Sequence, residues 1–108
     1  MDKRKATVVF VTKGVFEKMK DEPALKYFIQ DSLPGHYGGN RGVLDINDSR
    51  EKEFFQANQD RLLSVIKYRQ IRIFMITESD LSSTVILLST EYVKSISLTV
   101  LMTTVRQG

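Results

Sequence analysis

The sequence contains no cysteine and no tryptophan, only two prolines, and a single histidine, His36. A chain without cysteine forms no disulfide and offers no thiolate to a metal, so carboxylates are the only further ligands available beside the histidine. We therefore expect no metal site and no cofactor.

Long apolar runs are also missing. The six residues "ATVVFV" near the start fall far short of a signal-peptide core or of the roughly 20 residues of a membrane span. The sequence thus predicts a cytoplasmic protein without membrane contact.

The composition is typical of one globular domain. The 108 residues are 42% hydrophobic and 27% charged, which is close to the average of folded domains and enough to bury a core without disulfides. We expect a single domain over residues 1–108, with a flexible start at 1–5 and a C-terminal strand within 94–108 that can serve as an interface. The formal net charge of +3 suits contact with nucleic acid or with an acidic protein, but solubility alone also produces such an excess.

The first half of the chain predicts one strand followed by helices. The β-branched and aromatic run at residues 6–11 predicts the strand, and the hydroxyl of Thr12 can cap the helix expected at 13–20. A second helix is expected at 23–33, where apolar residues recur at helical spacing. Pro34 and the glycine after it are expected to end this helix, because proline disfavours helical geometry in the residue ahead of it.

The second half changes to a period of two. Three strand-like runs stand at residues 62–68, 71–77 and 83–89. Their short connections can join antiparallel neighbours but not parallel ones. The first connection, Arg69 and Gln70, lacks glycine and asparagine, so a wider bend is expected there than a strict two-residue turn. The alternating tail at 95–104 predicts a fifth strand or a surface for a homodimer.

These elements predict the fold class. With a third helix near 49–60, the order is β-α-α-α-β-β-β-β. Runs of helices followed by runs of strands are typical of an α+β domain. We expect a mainly antiparallel sheet of four to five strands with the helices on one face.

A glycine-rich segment, residues 34–48, interrupts this order and contains His36. An imidazole titrates near neutral pH and can act as a general acid or base, or it can bond a backbone group and pin the segment. Glycines 38, 39 and 42 fit neither the dinucleotide-binding nor the Walker pattern. They are better explained by a tight loop that needs positive φ angles.

Acidic residues follow the glycines. Asp48 and Glu51 have the spacing of a capping box, in which Asp48 accepts a helix N–H and Glu51 reaches back. Together with Asp45 and Glu53 they could also hold Mg²⁺ or Ca²⁺ through oxygen ligands, although their spacing is not that of an EF-hand. Capping and a solvated helix face explain the four carboxylates more simply.

Two strand connections are rich in polar residues. Glu78, Asp80 and Ser82 lie between the second and third strand-like runs, where Asp and Ser ordinarily bond their own backbone. Polar loops on a rigid sheet are also where binding sites concentrate.

The connection before it carries Lys67, Arg69 and Arg72 around Tyr68. Such a basic tip can contact phosphates and stack a base, or it can guard the exposed edge of a sheet. The residue types favour neither interpretation.

Four fragments of the chain resemble a family of small bacterial proteins of plasmid or mobile-element origin. They are "TKGVF", "HYGGNRGVLDIND", "RLLS" and "ITESDLSSTVILLSTEY", at residues 12–16, 36–48, 61–64 and 76–92. The family pattern is close to T-P-G-A-L, H-x-x-G-D-W-G-x-L-x-x-x-D, R-L-L-S and I-T-E-x-D-R-S-x-T-T-x-L-L-P-x-E-Y. The resemblance spans residues 12–92, and its combined spacing is more specific than any one fragment.

The resemblance implies an accessory protein of a mobile element rather than a named activity. This chain departs from the pattern at two polar places. Asn40 and Arg41 stand where the family has Asp-Trp, and Leu81 stands where it has Arg. Any chemistry that those residues perform in the family is therefore in doubt here.

The sequence predicts a non-enzymatic binding module that contacts a protein or a nucleic acid. Its binding surface is expected where the glycine-rich segment and the Asp80 turn converge, held by one layer of paired strands. Two alternatives stay open: a RelE-like endoribonuclease toxin, in which His36, Tyr68, Arg69 and Arg72 would handle the scissile phosphate, and an inhibitor of host defence. The candidate binding residues are His36, Gly39, Asn40, Arg41, Asp48, Lys67, Arg69, Arg72, Glu78, Asp80 and Ser82.

Overall fold

The computed structural model describes residues 7–92 and the backbone of a short strand at 105–107. The strands are Val8–Val11 (β1), Leu62–Tyr68 (β2), Ile71–Thr77 (β3), Ser83–Leu88 (β4) and Val105–Gln107 (β5). The helices are Lys13–Asp21 (α1), Ala24–Tyr37 (α2) and Ser49–Ala57 (α3), and a 3₁₀ turn spans Ser89–Glu91. This is the predicted order of elements. None of the helices in the described part of the chain has the length and apolar character needed to cross a membrane.

The strands form one open sheet in the order β2-β3-β4-β1-β5. The pairs β2–β3 and β3–β4 are antiparallel, as the short connections after Leu62 predict. The pair β1–β5 is also antiparallel, whereas β1 and β4 are parallel. A parallel neighbour is reached only through a long connection, and the three helices between β1 and the later strands provide it. The α+β class and the mainly antiparallel sheet are confirmed, and the single parallel pair makes the sheet mixed.

The helices divide between the two faces of the sheet instead of gathering on one. On β3, Ile73 and Met75 pack into a core with residues of α1 and α2. Phe74 and Ile76, which alternate with them, pack into a second core with Phe54 of α3. The reason is visible in β3 itself, because a strand that is apolar at consecutive positions needs cover on both faces. We name these the α1/α2 face and the α3 face.

Helix α2 runs through Pro34 and ends at Tyr37, so the expectation that Pro34 and Gly35 end it is wrong. Proline in a helix removes one backbone hydrogen bond and crowds the preceding turn. The last turn persists because tertiary contacts hold it: Tyr37 and its neighbour His36 both bond to the sheet. The connection between α2 and α3 is therefore shorter than the glycine-rich segment. It covers residues 38–48, and we call it the α2–α3 loop.

Two further expectations concern turns and the tail. Tyr68 pairs with Ile71, so Arg69 and Gln70 form a strict two-residue connection and the expected wider bend is wrong. Arg69 adopts a positive φ of 55° to make it, a conformation that is uncommon for a residue with a side chain. The predicted tail strand at 95–104, with its homodimer surface, lies outside the described residues. The strand that the structure gives to the tail is β5, which pairs with β1.

Both predicted helix caps are confirmed. Thr12 accepts a hydrogen bond from the N–H of Val15, and Asp48 accepts one from the N–H of Glu51. The hydroxyl of Thr12 also donates to the carboxylate of Glu91, which accepts a second hydrogen bond from the backbone N–H of Gly14 at 3.0 Å. A Cβ at position 14 would collide with this carboxylate. The 3₁₀ turn after β4 thereby holds the start of α1.

Candidate functional site

His36 lies in the last turn of α2 with its ring buried against the α1/α2 face, and it exposes only 2% of its surface. Its Nδ1 is 2.6 Å from the hydroxyl of Ser64 on β2, and its Nε2 is 2.7 Å from the hydroxyl of Thr77 at the end of β3. The imidazole thus bridges two neighbouring strands. Both of its nitrogens are occupied within the fold.

The hydrogen bond from Ser64 to a backbone carbonyl determines which atoms donate and which accept in this network. Ser64 donates its only hydroxyl proton to the backbone oxygen of Asn40, at 2.6 Å, so it accepts from Nδ1–H of His36. In the neutral ring Nε2 then accepts from Thr77. Each hydroxyl has one proton, and the chain of donors continues outward: Thr77 accepts from Thr84 at 2.6 Å, and Thr84 accepts from Tyr37 at 2.9 Å.

Burial lowers the pKa of His36 from its ordinary value of 6.5 to about 4, because removal of the ring from water disfavours the charged form. At neutral pH the ring is uncharged and has no free nitrogen to exchange a proton with a substrate. Its position supports the structural role considered from the sequence: it pins the α2–α3 loop through Ser64 and the backbone of Asn40.

The α2–α3 loop is fastened along the outer edge of β2. The N–H of Val65 donates to the carbonyl of Arg41 at 3.1 Å, and the N–H of Val43 donates to the carbonyl of Val65 at 2.8 Å. Arg72 adds a hydrogen bond to the carbonyl of Val43, also at 2.8 Å. Further along, the N–H of Asp45 donates to the carboxylate of Glu51. The loop therefore covers part of the exposed edge of the sheet.

Two glycines let the loop adopt this path. Gly42 has φ +67° and lies against β2 so closely that a Cβ would overlap the carbonyl oxygen of Val65. Gly39 has φ +93°, but no atom of the described chain lies within reach of an added Cβ. The predicted need for positive φ is confirmed at both positions and is wrong at Gly38, the C-cap of α2, whose φ is −83°. Asn40 lies between Gly39 and Gly42, and its side-chain oxygen accepts from the N–H of Gly42 at 2.7 Å.

The fastened loop turns one apolar side chain inward and two outward. Leu44 packs against the second core, on the α3 face. Val43 and Ile46 expose 48% and 58% of their surface. Arg41 is exposed, and its guanidinium lies 4.7 Å from the centre of the Phe55 ring. The outer surface of the loop consequently presents two aliphatic side chains, with one cation and the exposed residues Asp45 and Asp48 beside them.

The acidic residues near α3 have structural partners. Asp48 is the N-cap, and Asp45 accepts from the N–H of Asn47. Glu51 is buried and accepts from the guanidinium of Arg72 through both of its oxygens. This hydrogen bond raises the pKa of Arg72. The second bond of the expected capping box is wrong: the carboxylate of Glu51 accepts from the N–H of Asp45 and not from that of the cap residue, Asp48.

The turn at 78–82 is held by bonds within itself and to its neighbours. Glu78 forms an ion pair with Arg61 at 3.0 Å. Asp80 accepts from the N–H of Ser82, which is the local bond that the sequence predicts for an aspartate in a turn. Leu81 has φ +62° and exposes 45% of its surface.

The side chains of the basic hairpin tip lie on different faces of the sheet. Arg69 pairs with Glu22 at 3.3 Å, and Tyr68 donates to the same carboxylate. Arg72 points to the α3 face and its partner Glu51, whereas Tyr68 packs on the α1/α2 face. Lys67 is exposed at the register position opposite Arg72. His36 is bonded to Ser64, four residues before Tyr68 in β2, a separation of about 13 Å along a strand.

The expected convergence of the loop and the Asp80 turn is indirect. His36 links Ser64, which holds the loop, to Thr77, which precedes the turn. The cavity beside His36 is bounded by α2, the loop, β2 and β3, and no residue of 78–82 lines it. The turn and the loop are therefore joined through one side chain and do not form one concave pocket around it.

Sequence reasoning missed the hydroxyl partners of His36. Ser64, Thr77 and Thr84 fall on the α1/α2 face of strands that are otherwise apolar there. A polar residue at an inward position of a strand needs a buried partner, and this was the available signal. The partner's identity depends on where the end of α2 docks, which local spacing does not define.

Residues of the four family-like fragments contact one another. Thr12 and Gly14 bond to Glu91, His36 bonds to Ser64, and Arg61 pairs with Glu78. These contacts give the polar residues among them a structural role in joining the fragments. Searches among protein-family models, curated proteins and solved structures gave no match to this chain.

Proposed function

We propose that this protein is a non-enzymatic binding module that recognises a protein partner through the outer surface of the α2–α3 loop. The observation that carries the proposal is the combination of a firmly fastened backbone with two exposed aliphatic side chains, Val43 and Ile46. A loop ordered before binding loses little conformational entropy when a partner docks. Functional loops on rigid scaffolds are commonly of this kind.

A protein partner fits this surface better than a nucleic acid. The loop offers one cation, Arg41, together with exposed aliphatic groups and the carboxylates of Asp45 and Asp48. Phosphate recognition depends on several free cations. At the hairpin tip, Arg69 and Arg72 already pair with carboxylates, which leaves Lys67 as an exposed cation there.

The endoribonuclease alternative finds little support in the geometry. Its proposed residues divide between the two faces of the sheet, and His36 is buried with both nitrogens bonded. An acid or base must reach the proton that it transfers. Inhibition of host defence is compatible with a protein-binding loop, and it would be one use of the module. A mobile-element origin and a cytoplasmic site of action stay predictions from the sequence.

The test is a capture experiment with matched variants. The double variant Val43→Ser/Ile46→Ser removes the exposed apolar groups, and Tyr27→Ser removes another exposed large side chain, on α2. Immobilised wild type and Tyr27→Ser are expected to retain the same protein from host lysate, identified by mass spectrometry, and the double variant is expected to lose it. Equal retention by all three folded proteins, or retention of RNA instead, would exclude this loop as the binding surface.

A further inference from the structure

The cavity beside His36 is separate from the exposed aliphatic side chains of the loop, Val43 and Ile46, which do not line it. It has a volume of about 210 Å³ and opens between the last turns of α2, the α2–α3 loop and β2. This volume is below that of typical sites for drug-sized ligands. Its size therefore suits a single side chain or a small group.

The residues that line the cavity carry one negative formal charge. Asp31 is the formally charged residue among those that line it. Its carboxylate is exposed and has no ion-pair or hydrogen-bond partner within residues 7–92. The cavity also lies at the carbonyl end of α2, where the helix dipole contributes partial negative charge. His36 does not oppose this potential, because its ring is neutral at physiological pH.

Part of the cavity lining is apolar. Ile66 and Met75 line it from the sheet, and Gly35 lines it without a side chain. A long side chain with an aliphatic stem and a charged end matches such a site, since its stem can cover apolar surface while the charge stays near water.

We propose that this cavity takes one arginine side chain of the protein partner, with its guanidinium at the carboxylate of Asp31. The inference rests on the proposed function for the source of that side chain. Arginine fits better than lysine because its planar group presents several donors at once. These donors can serve the carboxylate of Asp31. Asn40 also lines the cavity, and its amide oxygen, which accepts one hydrogen bond from the N–H of Gly42, can accept a second.

The test needs no partner. The ¹⁵N-labelled full chain is titrated with N-acetyl-arginine amide, and with N-acetyl-citrulline amide as a neutral isostere of similar shape. We expect the amide signals of Gly35, Asn40 and Gly42 to shift with arginine at concentrations on the order of 10 mM, the weak range for a single side chain. Citrulline is expected to shift them much less.

Two variants at the cavity, Asp31→Asn and Gly35→Ala, and one control, Asp21→Asn, assign the effect to the site. Asp31→Asn is expected to weaken arginine binding by about threefold to fivefold, the contribution of a solvent-accessible ion pair. Asp21→Asn removes the same charge from an exposed position at the end of α1 and is expected to leave the affinity unchanged. Gly35→Ala adds a methyl group that meets Asn40 at ordinary contact distances, so it should fold and reduce binding by narrowing the cavity.

Several results would overturn the proposal: no shifts at these amides, equal shifts with citrulline, or equal affinity of wild type and Asp31→Asn. Any of them would remove the arginine site and leave the loop proposal standing. Conversely, the arginine site could bind as expected while the loop variants still capture the same partner. That pair of results would support the cavity proposal and exclude the loop as the binding surface.

Discussion

The Nε2 atom of His36 lies 2.7 Å from the hydroxyl oxygen of Thr77, 41 positions later in the chain. This bond joins the last turn of α2 to the end of β3. On the other side of the ring, Nδ1 bonds to the hydroxyl of Ser64, which in turn donates to a backbone carbonyl of the α2–α3 loop. A single buried imidazole thus couples the loop to the sheet, and its protonation should have a measurable effect on stability.

Stability should fall as the pH is lowered below the ordinary pKa of histidine. The folded protein holds His36 at a pKa of about 4, whereas the unfolded chain has 6.5. Between these values the unfolded state binds the extra proton, so the contribution is complete above about pH 6.5 and is lost as the pH falls toward 4. Its size is about 3 kcal/mol, from 1.36 kcal/mol per pKa unit.

Urea unfolding of wild type and His36→Gln from pH 7.5 to 4 separates this effect from that of the carboxylates. The glutamine variant keeps a donor and an acceptor but does not titrate. We expect the difference in unfolding free energy between the two proteins to shrink as the pH falls. A difference that is constant over this range would mean that His36 is not held neutral.

Removal of Arg72 should destabilise the fold strongly. Glu51 exposes 2% of its surface and depends on the guanidinium of Arg72. Arg72→Met leaves the carboxylate buried without its cation, which costs about 3 kcal/mol or more. The double variant Glu51→Gln/Arg72→Met removes the buried charge and should recover part of the loss. Denaturant unfolding of the four proteins of this cycle tests the coupling, and additive effects would argue against it.

Alanine should be far more harmful at Gly42 than at Gly39. Both positions have positive φ, which costs an ordinary residue about 1 kcal/mol. A Cβ at Gly42 would in addition overlap the carbonyl of Val65, whereas no described atom lies near the same group at Gly39. Thermal unfolding should therefore show a small decrease in Tm for Gly39→Ala and a large one for Gly42→Ala. Similar decreases would place the loop away from β2.

Expression of the protein alone should not arrest growth. The residues that the endoribonuclease alternative would use are buried, paired or on opposite faces of the sheet. Induced cultures of wild type and of Arg69→Ala, which changes an exposed side chain at the hairpin tip, are expected to grow alike. Growth arrest by wild type that Arg69→Ala relieves, with the variant present as folded protein, would favour the toxin.

Local patterns predicted the strands well and the helix end poorly. The runs at 62–68 and 71–77 match β2 and β3 in full, because their alternation and short connection are local features. The continuation of α2 through Pro34 is not determined by the local sequence. It depends on the docking of His36 and Tyr37 on the sheet, and tertiary contacts there outweigh the preference of proline.

The candidate site was predictable in part. Positive φ at Gly39 and Gly42 and the cap at Asp48 follow from residue type and spacing. The division of the basic hairpin between two faces follows from register, since Arg72 faces α3 while Tyr68 faces α2. The cavity at Asp31 depends on the approach of the α2–α3 loop to β2, a contact between distant segments that no local pattern encodes.

The central claim is that the α2–α3 loop is ordered before any partner binds, and hydrogen exchange tests it most directly. The N–H of Val43 donates to the carbonyl of Val65 at 2.8 Å, although it lies in a loop with exposed neighbours. In the free protein at pH 7 we predict that this amide exchanges far more slowly than in an unstructured peptide, and that His36→Ala speeds its exchange. Exchange of the Val43 amide in wild type at the unprotected rate would contradict the claim.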